Sequence, residues 1–175
     1  MGLFGLGKKK VSTTQAKMEQ KAMRPSVKAL CTNDSLNRAY AVNGTVYCVS
    51  NHGSDFEIGF YELSEDHTFC KCFCLSDRRE IGTIAPDGAA FSITMNRMEI
   101  YHRVQTMGLY SGGMPSPIFK EFARVYKYTI DDTTTHETIA EIDGDPVEAA
   151  AAFLVLVYEV LDDSSYSKFY KPGQW

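Results

Sequence analysis

The sequence predicts an α+β fold, predominantly antiparallel β, in which a barrel-like or sandwich meander wraps around one buried apolar C-terminal helix. Three observations carry this reading. Asp145-Pro146-Val147-Glu148 followed by AAAAFLVLVYEVL is a capped helix that is apolar on nearly every side. Such a helix has no face for water and must be enclosed. Arg38-Ala-Tyr-Ala-Val and Thr45-Val-Tyr-Cys-Val-Ser flank Asn43-Gly44, a pair that tolerates the positive φ of a two-residue hairpin. Further strand-like runs recur between clusters of turn-forming residues about every ten positions, the spacing of a barrel or sandwich.

The chain begins with Met-Gly-Leu-Phe-Gly-Leu-Gly and three lysines. Leu3, Phe4 and Leu6 form a small apolar wedge ahead of Lys8, Lys9 and Lys10, and Lys17 and Lys21 follow. Residues 1–28 carry seven basic groups against Glu19, a net charge of +6, which leaves −10 for the remainder of a chain of net charge −4. An apolar wedge beside a basic cluster holds weakly to an anionic membrane, each lysine near the surface contributing about 1 kcal/mol. The plainer reading is a solvated leader. Gly2 opens an N-myristoylation pattern, but Leu6 stands where serine or threonine is preferred. The acidic body argues against a phosphate-tracking surface, so no nucleic acid is expected as partner. Ser12 or Thr13 is placed to cap a short helix reaching about Met23 and ended by Pro25.

After this arm, residues 1–26, the strands expected are Val27–Cys31, the hairpin at Asn43-Gly44 with Tyr40 opposite Tyr47, Phe56–Leu63, Thr68–Leu75, Glu80–Ile84, Ala89–Met95, Glu99–Gln105, Phe119–Ile130 and Glu137–Ile142. Turns fall at Asn51-His-Gly-Ser, Ser64-Glu-Asp, Ser76-Asp-Arg-Arg, Ala85-Pro-Asp-Gly and Asp143-Gly-Asp. The helix then follows from local chemistry. Asp145 caps, Pro146 suits the first helical position, and Glu148 stands where a capping-box acid belongs. Val147–Leu161 is shorter than the roughly 30 Å hydrocarbon layer demands. A single domain over residues 27–161 results, followed by an aromatic polar tail, residues 162–175.

Ending strand after strand with Asp143-Gly144-Asp145-Pro146 and an apolar helix to Leu161, the chain resembles the tubby-like barrel of tubby C-terminal domains, phospholipid scramblases and LURP-one-related proteins. The resemblance implies a helix that threads its barrel as the core. It covers the order of elements from about Val27 to Leu161, and residues 27–145 are few for the family's twelve strands. The phosphoinositide-binding residues of tubby domains do not map onto this chain from the resemblance, so no ligand site is carried over.

Chemistry-bearing residues are scattered. Cys70, Cys72 and Cys74 alternate along one strand, so their sulfurs point one way in a row, whereas zinc needs ligands converging tetrahedrally. They are expected as small buried core thiols. Five cysteines in strand context, with no visible signal peptide, fit cytoplasmic residence, peripheral at a membrane face. His52, His67, His102 and His136 read as loop or strand-surface residues. The acidic groups Asp131-Asp132 with Glu137, Asp143 with Asp145, and Asp162-Asp163 lack EF-hand spacing and read as turns and helix ends. Met107–Pro117 is a glycine-rich connection without the ending of a phosphate loop, and Gly108, Tyr110, Gly112 and Gly113 make it the candidate binding loop. No cofactor, no metal and no catalytic set is expected. The sequence thus favours a non-catalytic binding or scaffold module whose basic arm meets an anionic membrane. The alternative is a structural subunit of a larger assembly, of viral or phage type, whose arm and aromatic tail (Tyr166, Phe169, Tyr170, Trp175) dock onto neighbouring chains.

Overall fold

The structure is a computed structural model and describes residues 24–30, 35–96 and 119–161. Among these residues ten antiparallel strands form a closed barrel around one helix. They are β1 (Ser26–Ala29), β2 (Arg38–Val42), β3 (Thr45–Cys48), β4 (Phe56–Leu63), β5 (Cys70–Cys74), β6 (Glu80–Asp87), β7 (Ala90–Asn96), β8 (Phe119–Val125), β9 (Thr129–Asp132) and β10 (Thr138–Asp143), followed by α1 (Pro146–Glu159). Each strand pairs with the next in sequence, and β1 pairs with β10 to close the ring, Ser26 opposite Asp143 and Ala29 opposite Ala140. Closure leaves none of the described strands with an unpaired edge.

The hairpin at Asn43-Gly44 forms as its chemistry requires: both residues take positive φ, 49° and 81°, and Tyr40 lies opposite Tyr47 with their rings stacked 5.4 Å apart. Two expectations are corrected. The run Phe119–Ile130 is two strands, not one. The chain reverses through Tyr126-Lys127-Tyr128, closed by the Tyr126 amide donating to the Thr129 carbonyl at 2.8 Å. Aromatic and lysine residues hide this turn because their propensities read as strand. Ala85-Pro86-Asp87 belongs to β6 rather than to a turn, which falls at Gly88-Ala89. Pro86 is accommodated near the end of its hairpin, where a missing amide costs least. The expected strand Glu99–Gln105 and the short helix before Pro25 lie outside the described residues.

Helix α1 starts as expected. Asp145 Oδ1 accepts from the amides of Val147 and Glu148 at 3.0 and 2.9 Å, and Pro146 stands in the first turn. Glu148, the expected capping-box acid, turns to β4 instead and accepts the Tyr61 hydroxyl at 2.5 Å. Every residue from Ala149 to Val157 has zero exposure, so the helix is the filler of the barrel.

Small residues make the room. Eight strands enclose a lumen just filled by side chains, and a helix with its side chains is about 10–12 Å across, so a ten-stranded wall must be thin on its inner face. Ala29, Ala39, Ala41, Cys48, Cys70, Cys72 and Cys74 face inward on β1, β2, β3 and β5 and are fully buried. The opposite wall, β6 to β9, presents Ile84, Ile93, Met95, Phe122, Val125 and Ile130. The helix therefore runs off-centre, closest to β1, β2, β4 and β5, and Phe153 reaches across to stack on Phe122 with ring centroids 6.3 Å apart.

Register shifts mark four places where two successive residues both face inward: Ile58-Gly59 on β4, Ile81-Gly82 on β6, Phe122-Ala123 on β8 and Ile139-Ala140 on β10. Each pair joins a large apolar residue to a glycine or alanine. A bulge bends its strand and raises the local twist, which is how a sheet turns the corners of a barrel.

Candidate functional site

With α1 occupying the lumen, contact with other molecules falls to the outer face and the rims. Among the described residues a surface hollow of about 520 Å³ lies where β1 sits between β2 and β10. Alternation along these strands sends Val27, Ala39 and Ile142 inward and leaves Ser26, Lys28, Arg38, Tyr40, Glu141 and Asp143 on the outside. Register arranges them in two rows. Tyr40, Ser26 and Asp143 face one another in the first; Arg38, Lys28 and Glu141 do so in the second. Ser26 is the shortest side chain among them, and its smallness opens the hollow.

Arg24 and Asp55 complete the rim. The Arg24 guanidinium lies 5.1 Å from the centre of the Tyr40 ring, which is itself stacked on Tyr47, a layered cation–π arrangement. Asp55 Oδ1 accepts the Ser50 amide at 3.2 Å, fastening the β3–β4 connection beside the hollow. Partial burial of Tyr40, the Asp55 charge and the hydrogen bond to Asp55 together raise the Tyr40 pKa above its ordinary value. Tyr40 is thus a neutral donor at physiological pH. Lys28 and Arg38 stand directly opposite each other across β1 and β2, like charges that repel unless an anion lies between or near them. Three basic and three acidic groups line the hollow, the basic ones gathered along β1 and β2.

A second hollow of about 430 Å³ lies over β8 and β9, lined by Arg124, Tyr126, Asp131, Asp132, Thr133 and His136. Its charges are already engaged. Arg124 pairs with Asp87 and with Glu121, and Asp132 Oδ1 accepts the amides of Thr134 and Thr135, both at 2.7 Å. Asp132 is thus the turn former the sequence suggests. Asp143 likewise accepts the Gly144 amide at 2.9 Å.

The chain matches no protein-family model, no curated protein and no solved structure.

Leu3, Phe4, Leu6, Lys8, Lys9, Lys10, Lys17 and Lys21 of the arm, and Gly108, Tyr110, Gly112 and Gly113 of the candidate loop, lie outside the described residues, as do Cys31, His102 and the aromatic tail. His52 and His136 are exposed, in the β3–β4 and β9–β10 connections. His67 is exposed in the β4–β5 turn and faces the start of α1, an approach the sequence alone did not foresee. The outer hollow was missed for a related reason. Its signal is the alternation of charged residues with buried ones on three short strands, legible only once β1 is known to lie between β2 and β10.

Cys70, Cys72 and Cys74 point into the core in a row, as their spacing requires, and Cys48 joins them from β3. Burial, reinforced by the neighbouring Cys70, pushes the Cys72 thiol well above its ordinary pKa. A thiol so placed holds little thiolate, the reactive form. These four cysteines should resist iodoacetamide in the folded protein at pH 8 and react fully in 6 M guanidinium, as mass spectrometry of the labelled peptides will show. Labelling of Cys72 at the rate of a free thiol in the native state would contradict this packing.

Proposed function

We propose that the chain is a non-catalytic binding module in which the barrel is a rigid scaffold and the basic arm contacts an anionic membrane surface. The observation that carries this reading is the separation of charge, +6 over residues 1–28 against −10 over the rest. The place where the arm joins the barrel supports it. Arg24 packs on Tyr40 at the rim of the outer hollow, beside Lys28 and Arg38, so the basic character of the arm continues onto the outer face of β1 and β2. A filled lumen also favours surface contact over enclosure of a small substrate. A meander closed around a single C-terminal helix is compatible with the tubby-like barrel, and on that reading the chain is a ten-stranded relative of a group whose helix threads the barrel.

Among the described residues no helix is long and apolar enough to cross a membrane. Binding through the arm is therefore a matter of electrostatics and a small apolar wedge. At about 1 kcal/mol for each basic residue near the surface, it should be strong at low salt and lost as salt screens it. Flotation of the full chain with vesicles tests this. Recovery with vesicles containing phosphatidylserine should exceed recovery with neutral vesicles at least tenfold in 50 mM salt, and fall towards the neutral level in 500 mM salt. Removing residues 1–10 should abolish the difference. Equal recovery from both vesicles, or no change on removing the arm, would refute the membrane reading.

A further inference from the structure

At the rim where α1 enters the barrel, three side chains from two distant segments converge. His67 comes from the β4–β5 turn, Asp145 is the helix cap, and Glu148 lies one turn further on. One ligating atom from each lies within 4.8 Å of the others, and His67 Nδ1 is 3.8 Å from Asp145 Oδ2. We propose that His67, Asp145 and Glu148 form a binding site for a divalent transition-metal ion of the zinc class, its coordination completed by water.

Geometry is the first argument. Zinc held at about 2.0–2.2 Å by nitrogen and oxygen ligands in a tetrahedron keeps neighbouring ligand atoms roughly 3.4 Å apart. The gap of 3.8 Å between His67 and Asp145 is already close to that, the three ligand atoms lie within 4.8 Å of one another, and the exposed His67 ring has room to turn. One imidazole with two carboxylates suits zinc, and water in the fourth place leaves the ion open on its solvent side.

The second argument is how each ligand is held from behind. Asp145 uses Oδ1 to cap the amides of Val147 and Glu148, which fixes the carboxylate and turns Oδ2 to His67. Glu148 uses Oε1 to accept the Tyr61 hydroxyl at 2.5 Å and keeps its other oxygen available. His67 sits at φ 57° in a turn that its own backbone ties down. Its amide donates to the Ser64 carbonyl at 3.0 Å, and Ser64 Oγ accepts the Thr68 and Phe69 amides at 3.2 and 3.0 Å. Outer partners of this kind orient ligands in metal sites and contribute to affinity.

Charge decides the sign. The helix N-terminus carries about half a positive charge and by itself repels a cation. Two ionised carboxylates outweigh it about fourfold and neutralise a divalent ion. The three ligands are not among the residues that line the outer hollow, and the site stands or falls independently of membrane contact.

Titration calorimetry of the full chain with zinc, repeated for His67→Ala, Glu148→Gln and Cys31→Ser, is the test. The expected result is one ion bound per chain, with affinity reduced at least tenfold by His67→Ala and by Glu148→Gln and unchanged by Cys31→Ser. Cobalt in place of zinc should give visible d–d bands that disappear in His67→Ala. Because His67 is exposed, its replacement should leave the circular dichroism spectrum and Tm without metal as in the parent. Equal zinc affinity in the parent and His67→Ala, loss of binding in Cys31→Ser alone, or no binding at 1 mM zinc would overturn the proposal.

Discussion

Phe153→Ala should lower the unfolding free energy by about 3–5 kcal/mol, the range for removing a fully buried aromatic side chain. Phe153 has no exposure and stacks on Phe122 across the wide side of the lumen, where the helix stands away from the wall. Nothing nearby is free to fill its place, because β8 is held by pairing to β7 and β9 on both sides. The loss is large beside the total stability of a domain, about 5–15 kcal/mol, so the variant should be partly unfolded or melt well below the parent. Urea denaturation followed by circular dichroism measures it. A cost below 1 kcal/mol would mean that the helix does not fill the barrel as described.

The second large effect comes from adding atoms. Gly82 lies where α1 and β7 both approach the backbone. A Cβ there would stand 2.4 Å from the Thr94 carbonyl oxygen and 2.9 Å from Leu154 Cδ2. Gly59 makes the matching approach on β4, its Cβ position 2.6 Å from Val155 Cγ1 and 2.8 Å from the Phe73 carbonyl oxygen. Overpacking of this kind costs about 1–3 kcal/mol and occasionally more, and a clash with backbone stands at the upper end because the strand cannot move alone. Gly82→Ala is therefore expected to cost more than Gly59→Ala. A repair experiment separates the two causes. Val155→Ala should recover part of the Gly59→Ala loss, since it removes the nearest atom, whereas Leu154→Ala should not rescue Gly82→Ala. Equal rescue at both positions would place the helix, and not the neighbouring strand, as the obstacle at Gly82.

Much of this architecture is written locally. Asp145-Pro146 and the unbroken apolar run specify an enclosed helix. Asn43-Gly44 specifies a hairpin with Tyr40 against Tyr47, and turn-forming clusters separate most strands. The turn at Tyr126-Lys127-Tyr128 was not legible because no glycine, proline or asparagine marks it. Strand bending was not legible either, although a trace exists: Ile58-Gly59, Ile81-Gly82, Phe122-Ala123 and Ile139-Ala140 repeat a large-then-small pair at the bulges of β4, β6, β8 and β10. Such pairs are common in any chain, and only register shows that both residues face inward. The His67, Asp145 and Glu148 cluster was hidden by sequence separation, since the cap and the turn at Ser64-Glu-Asp were each recognisable alone but not that one folds over the other. Lys28 and Arg38 become neighbours only through pairing of β1 with β2.

The position of α1 after all ten described strands sets the sequence of events during synthesis. All ten strands are made before Pro146–Glu159, and the first of them must wait for the tenth, as Ser26 pairs with Asp143. Contacts that distant are slow to form, and until they do the alanines, cysteines and glycines of the inner wall have nothing to rest on. A ribosome-bound chain halted before Pro146 is thus an open curtain of strands with its sticky side bare, a species prone to self-association and a natural client for a holding chaperone.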